Sequence, residues 1–435
     1  MSPRPSLPSR RRFIHAGGSL AAGSGLMVAG SQTARAAGIT GGARAAGITG
    51  RERIRVGLVG CGGRGTGAAL QALAADPGVE IVALGDLFAD QVEVAAAAVA
   101  GVAAGRHPGP RHEPVRVVGE DACAGVIAAG IDLILLATPP VCRPAELEAA
   151  VAAGCHVYCE APVAVDAAGC SRSARALAEA RSRALVVVSG LAFRRDAATA
   201  AVIDRIHAGA IGAPRSLILV APSGLPWRVP LGAGMTAAQW RQRNWISFAD
   251  LGGGPLVERQ VHAIDKALWA LGDTVPVWAT GRVRSGHRDK WSIGDVTDGL
   301  AVRYHFASGA MLHLHCRRDG TGDALPHETV HGRHGVADLL TGTVVDRQGD
   351  VDGGPGRADG TRYQAGMDQL LAAVRSGTVV DDGPGLVRAT AVAILGREAA
   401  RLGTRVDFAA LGLPSGGTNR LFDTAVTIGQ AVKTA

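Results

Sequence analysis

The sequence predicts an α/β protein in two parts: a doubly wound parallel sheet, then an α+β domain on a largely antiparallel open sheet. Three observations predict it. Short, near-continuous apolar runs alternate with helical segments between residues 53 and 192, as strands buried on both faces do. A glycine-rich turn, Gly60-Cys61-Gly62-Gly63-Arg64-Gly65, directly follows the first run. From Phe193 onward the runs instead alternate apolar with polar residues, the pattern of a sheet covered on one face.

The elements follow in order. Ile54 to Val59 is the first strand, and Gly60, Gly62 and Gly65 form G-x-G-x-x-G before an alanine-rich helix. Glycines at these positions allow a tight turn, close approach to a pyrophosphate and close helix–strand packing, with the helix N-terminus facing the phosphates. The second strand, "VEIVALGD", ends in Asp86, an acid placed for the ribose hydroxyls of NAD. No arginine follows Asp86 directly, which favours NAD, while nearby Arg64 keeps NADP open. Residues 53–192 therefore read as an N-terminal Rossmann dinucleotide-binding domain. "IDLILLATPP" is a buried strand ending in Thr138-Pro139-Pro140, followed by a helix over residues 143–153. "HVYCEAPVAVD" is a strand, then Glu160-Ala161-Pro162, then a helix over 167–182, and "ALVVVSGL" closes the alternation. Ligands of such sheets bind beyond the carboxyl ends of the strands, so Thr138, Pro139, Glu160 and Pro162 are candidates for the cofactor crevice. For Glu160 the alternative is a helix-capping acid.

Residues 193–435 read as the C-terminal α+β domain, for substrate and oligomer contacts. A helix over 197–206 precedes the strands "RSLILVA", "VPVWATGRV", "GLAVRYHF" and "AMLHLHCR". Between the first two of these, Val257 to Leu271 has helical spacing and puts Glu258, His262 and Lys266 on one face, with Asp265 nearby. A carboxylate one turn from an imidazole can orient it and raise its basicity, so His262 and Glu258 are the candidate proton-transfer pair. A solvated charged face is the alternative. Trp227, Arg228, Arg241, Arg243, Asn244 and Trp245 precede this helix and suit stacking on, and hydrogen bonding to, a sugar ring; they equally suit a core. Asp265, Arg243 and Trp245 are the substrate-binding candidates. Helices over 364–375 and 385–401 finish the domain. No metal site is expected: the aspartates of the 346–360 loop lack EF-hand spacing, and His313 and His315 share a strand face without a third ligand.

Length and composition set the frame. The chain has 435 residues, 47% hydrophobic and 19% charged, enough for two domains with cores. Of the net charge of +7, five units come from Arg4, Arg10, Arg11, Arg12 and Arg35, which lie among 36 residues without an acid. The remainder is nearly neutral, so nucleic-acid binding is not expected. Seven scattered cysteines show neither zinc nor redox spacing and read as small buried hydrophobes. "SRRRFI", an apolar glycine-rich stretch and Ala34-Arg35-Ala36 read as a twin-arginine signal over 1–36. It implies a periplasmic or otherwise extracytoplasmic protein, with the twin-arginine export machinery as a partner. The stretch is too short and glycine-rich for a stable membrane span. The octapeptide "ARAAGITG" occurs twice, at 34–41 and 43–50, and with its flanks reads as a flexible linker over 37–52.

The segments "GLVGCGGRG", "ATPP", "CEAPVAVD", "RNW", "VERQVHAIDKALWALGD" and "GREAARLG" together resemble the glucose–fructose oxidoreductase / inositol dehydrogenase (Gfo/Idh/MocA) family, in its exported bacterial branch. The match covers about residues 53–410. The resemblance implies a sugar or polyol site between the two domains, hydride transfer between NAD(P) and a carbohydrate, and a homo-oligomer through the open sheet. It also implies a Glu-Lys-Pro strand end whose lysine is the acid/base, and an acid three residues before a histidine. Here Ala161 stands at the lysine's place, and the chain's three lysines, Lys266, Lys290 and Lys433, all lie beyond it. Glu258 and His262 match the second element, with Glu for the usual Asp. Gly254 stands where many exported members carry Asp. Three readings stay open: an oxidoreductase in which His262 transfers the proton without the lysine, an NAD-dependent redox-assisted glycoside hydrolase, and a non-catalytic nucleotide- or sugar-binding protein.

Overall fold

Ile54, Val56 and Leu58 of the first strand are fully buried, as an apolar run between two helical layers must be. The structure is a computed structural model that describes residues 53–103, 113–222, 226–284, 293–317, 325–349, 351–352 and 361–413. The twin-arginine segment and the linker lie outside the described residues. Six strands, β1 (Ile54–Val59), β2 (Val79–Asp86), β3 (Val115–Val118), β4 (Leu133–Leu136), β5 (His156–Cys159) and β6 (Val187–Ser189), pair in parallel in the order β3-β2-β1-β4-β5-β6. The order reverses between β1 and β4, so the ligand crevice lies over their carboxyl ends. Helices α1 (Gly63–Ala75) and α2 (Ala89–Ala103) cover one face. Helices α3 (Ala122–Ala128), α4 (Arg143–Ala152) and α5 (Ala167–Ser182) cover the other. β3 is the edge strand, and its Val115 and Val118 are exposed.

After α6 (Ala197–His207), nine strands form the second sheet. They are β7 (Pro214–Pro222), β8 (Trp278–Arg284), β9 (Gly299–His305), β10 (Met311–Arg317), β11 (His327–Gly332), β12 (Val336–Asp338), β13 (Val344–Val345), β14 (Val351–Asp352) and β15 (Val406–Asp407). Their order is β14-β13-β12-β11-β7-β10-β9-β8-β15. Every pairing is antiparallel except β7 with β10. Alternation sets the faces: Leu312, Leu314 and Cys316 are buried, while His313 and His315 lie on the open side.

Between β7 and β8 run α7 (Ala237–Arg243), α8 (Ala249–Gly252), α9 (Gly254–Glu258) and α10 (Val261–Ala270). The single helix expected over Val257–Leu271 is thus two. At the joint, both Arg259 and Gln260 donate their amides to the Pro255 carbonyl, which widens the turn and shifts the register. The last two helices, α11 (Thr361–Ser376) and α12 (Gly383–Leu402), part company. α12 packs on the second sheet and α5. α11 returns to the first sheet, where Met367, Leu370, Leu371 and Val374 share a core with β1, α1 and α2.

Five cysteines are buried and Cys123 and Cys142 half-buried, all as free thiols. Burial pushes Cys61, Cys123, Cys159 and Cys170 up to about 12, which keeps them inert thiols. No helix among the described residues is long and apolar enough to cross a membrane.

Candidate active site

The glycine turn has the shape its sequence requires. Gly60 has φ +93°, and a Cβ there would lie 2.5 Å from the Ala137 carbonyl carbon. A Cβ on Gly65 would come within 1.8 Å of the Gly60 oxygen, so only glycine lets α1 sit this close to β1. Gly62 is the opposite case: nothing lies within 4 Å of its Cβ direction, and it caps α1 with no side-chain hydrogen bond. That leaves open space at the amide-bearing end of a helix, which favours an anion. Asp86 stitches the turn to β2, its two oxygens accepting from the amides of Cys61 (2.7 Å) and Phe88 (2.9 Å). An open glycine turn, a helix N-terminus without a side-chain cap and an adjacent acid fit the pyrophosphate and ribose of a dinucleotide.

The strand ends bring further groups to the crevice. Thr138 donates its hydroxyl to Glu146, which burial pushes up to about 7. Glu160 is buried and accepts from Arg64 Nε (2.6 Å) and the Tyr158 hydroxyl (2.8 Å). Arg64 stacks 4.4 Å from the Tyr363 ring centroid and donates to Gln71. The arginine that kept NADP open thus turns to the β5 end rather than to Asp86. The turn after Glu160 is held on three sides. The Ala161–Pro162 peptide is cis. Buried Arg143 donates to the carbonyls of Glu160 and Pro162. The Val163 amide donates to Thr390 Oγ1 at 3.2 Å. Ala161 is half-buried inside this frame.

The charge of Glu160 at this strand end is felt at His262. Its Nδ1 is buried and has no hydrogen-bond partner among the described residues, and its ring meets the Phe193 ring at 6.3 Å between centroids. Burial lowers its pKa below the usual imidazole value, against the opposing pull of Glu160 and Asp265. A neutral imidazole with an unoccupied nitrogen can accept a proton. The expectation that Glu258 supports it from the same helical face does not hold in this fold. Glu258 ends α9, one widened turn away, and lies 3.4 Å from Arg259; the foremost carboxylate acting on His262 is Glu160.

Other predicted residues are held elsewhere. The Asp265 side chain is only 2% exposed and grips Arg194 at 2.7 and 2.9 Å, so its carboxylate is committed to an internal ion pair. Arg194 also binds Asp273, which Arg388 joins at 2.8 Å. Arg243 pairs with Asp90 at 2.6 and 2.9 Å and covers the Phe88 ring at 4.0 Å, just past Asp86 at the ribose end of the crevice. Trp245 packs edge-on against Trp227, 5.6 Å between centroids, and against the Gly252 turn. Asn244 is fully buried and clamps both backbone groups of Val229. Lys266 is buried, paired with Glu328 and stacked 4.2 Å over Phe193. Sequence reasoning missed Arg143, Tyr158, Phe193, Arg362 and Tyr363. Of these only Tyr158 lay inside a quoted motif, two residues before Glu160. No group of three metal-ligating side chains occurs among the described residues.

Two family models match the chain. One, described as "Oxidoreductase family, NAD-binding Rossmann fold", covers residues 54–188. The other, described as "GFO/IDH/MocA C-terminal domain", covers 199–338. The chain belongs to the Gfo/Idh/MocA family. This Gfo/Idh/MocA protein is 32% identical to inositol 2-dehydrogenase 4 of Saccharopolyspora erythraea over 161 residues, which are 37% of this chain and 43% of that one. It is 31% identical over 224 residues to a dTDP-3,4-didehydro-2,6-dideoxy-alpha-D-glucose 3-reductase of Streptomyces violaceoruber, 52% of this chain and 56% of that one. The chain spans about half the length of these curated relatives. In fold it is similar to a levoglucosan dehydrogenase solved with NADH and levoglucosan. The TM-score is 0.65 at 18% identity, over 82% of this chain and 99% of that one. Its N-terminal half is an NAD-binding Rossmann domain.

Proposed function

We propose that this protein is an exported NAD(P)-dependent oxidoreductase of a carbohydrate or polyol, in which His262 moves the proton without the usual lysine. One observation carries the reading: the His262 imidazole, its pKa lowered by burial and its buried Nδ1 without a partner among the described residues, lies within the field of Glu160 at the end of β5, where the family's acid/base is expected. NAD supplies a hydride acceptor or donor when bound. The residues that would hold it are Gly60, Gly62, Gly65 and Asp86, with Thr138, Pro139, Glu160 and Pro162 along the crevice. His262 takes the proton of the reacting hydroxyl during oxidation and returns it during reduction. Arg64 holds the Glu160 carboxylate in place beside it. The relatives named for inositol and levoglucosan support a polyhydroxylated substrate.

The arginine-rich N-terminal signal adds a constraint. Free nicotinamide nucleotides are scarce outside the cytoplasm, so an exported member should be loaded before export and hold its cofactor through many cycles. Reactions that regenerate the cofactor within one cycle then fit best. Redox-assisted glycoside cleavage is one such reaction, and Ala161 favours keeping it as the second reading, because hydrolases of this kind also lack the lysine.

The test is to express the protein with its signal, purify the exported form, denature it and identify released nucleotide by mass spectrometry. Stoichiometric NAD(H) or NADP(H) is expected, followed by oxidation or cleavage in a carbohydrate screen. An exported protein that carries no nucleotide and binds none when it is added would overturn both enzyme readings.

A further inference from the structure

Around His262 the cations are matched to carboxylates, with one exception. Arg64 is paired with Glu160, Lys266 with Glu328, Arg194 with Asp265 and Asp273, and Arg195 with Asp382. Arg362 pairs with no carboxylate among the described residues, and its Nε is buried without a hydrogen-bond partner. Its guanidinium lies 4.6 Å from the centroid of Phe193, the ring that also meets His262, and 5.3 Å from the centroid of Tyr363. Its charge is felt at His262. It stands in the first turn of the 16-residue α11, which has no acidic residue there, so the helix end adds positive potential to the guanidinium. A partly desolvated cation without a counter-ion is costly, and a planar guanidinium fork matches a carboxylate in two parallel hydrogen bonds.

We propose that Arg362 is a carboxylate-binding group of the substrate site, and that the substrate is an acidic sugar, an aldonate or a uronate. This rests on the oxidoreductase reading and narrows its substrate class. The carboxylate matches the one cation beside Phe193 that meets no carboxylate among the described residues, and leaves the hydroxylated carbons of the same molecule to reach His262. The pyrophosphate of the cofactor has its own place at the open Gly62 end of α1, so it does not need Arg362.

The test uses the nucleotide-loaded protein and matched probes: D-glucuronate, D-galacturonate and D-gluconate against D-glucose, D-galactose and D-glucitol. Binding is measured by calorimetry and turnover by nucleotide absorbance, for the natural protein, Arg362→Gln and Arg362→Lys. The natural protein should bind at least one acid roughly ten- to hundred-fold tighter than its neutral counterpart. Arg362→Gln should erase that preference by weakening acid binding far more than neutral-sugar binding, with nucleotide retained, and Arg362→Lys should restore part of it. Acid binding of this pattern without turnover would support the carboxylate site while sinking the oxidoreductase reading. Turnover of neutral sugars with no acid preference would do the reverse. The proposal is also overturned if no acid binds better than its neutral partner, or if Arg362→Gln loses nucleotide and not acid preference.

Discussion

His262 and Ala161 pose the sharpest question at the residue scale, because one has an unoccupied nitrogen and the other has no chemistry at all. A positioned acid/base contributes roughly 10²–10⁴-fold to rate. His262→Ala should therefore lower kcat/KM by about that factor while nucleotide affinity stays unchanged, measured on the first substrate found. The pH profile gives an independent reading. Burial lowers the His262 pKa, so the proton-accepting form persists below the ordinary imidazole value of about 6.5. The acid limb of kcat/KM for oxidation should fall below that pH and vanish in His262→Ala. On the proposed reading, Ala161→Lys puts the expected acid/base into a frame held by Arg143 and Thr390. Dehydrogenase turnover should rise at least roughly tenfold. A folded, nucleotide-loaded variant with no gain would mean that Ala161 belongs to a different reaction. At this scale the sequence was legible where chemistry is local: the glycine turn, Asp86 and the β5 end are each one short stretch. Arg362 was not, since nothing near it in sequence says that Phe193, far back in the chain, will lie beside it.

At the scale of elements, hydrophobic spacing located the strands and helices that carry the site and failed at one joint. Periodicity over Val257–Leu271 has the right apolar count for a single helix, but it cannot register the extra residue at Arg259–Gln260. Glu258 and His262 are four apart in sequence and yet stand on different helices, either side of the joint. Asp265 lies past the joint, on the regular part of α10, and its place explains a second departure. Its carboxylate ties α10 to Arg194, which follows β6, and so fixes the angle at which His262 meets the Rossmann crevice. Without Asp265, Arg194 keeps Asp273 but loses its more deeply buried partner, so the cost stays below the about 3–5 kcal/mol of a fully uncompensated buried charge. Asp265→Ala should thus lower the thermal midpoint markedly, read by heat denaturation of the nucleotide-loaded protein. If Asp265 instead contacts substrate directly, the variant will melt like the natural protein and show only a raised KM.

The whole molecule is tied together by α11. It comes after the entire second sheet in sequence, yet it buries Met367, Leu370, Leu371 and Val374 in the core beneath β1, beside α1 and α2. Burial of such side chains is worth roughly 1.5–3 kcal/mol each. The same helix carries Arg362 and Tyr363 to the crevice, so completing the Rossmann core and completing the site are one event. The periodicity of residues 364–375 identified this helix; which sheet it covers could not be read, because an amphipathic face does not name its partner. The Rossmann half by itself, residues 53–192, lacks one of the three helices that cover a face of its sheet. That fragment should show no cooperative thermal transition and should bind a hydrophobic dye, whereas the same fragment joined through a flexible linker to 361–376 should recover a transition and nucleotide affinity. A fragment that melts cooperatively without α11 would show that the first sheet is stable alone. The helix would then serve the site more than the core. If the prediction holds, nucleotide can be captured only after the chain has been synthesised past residue 376.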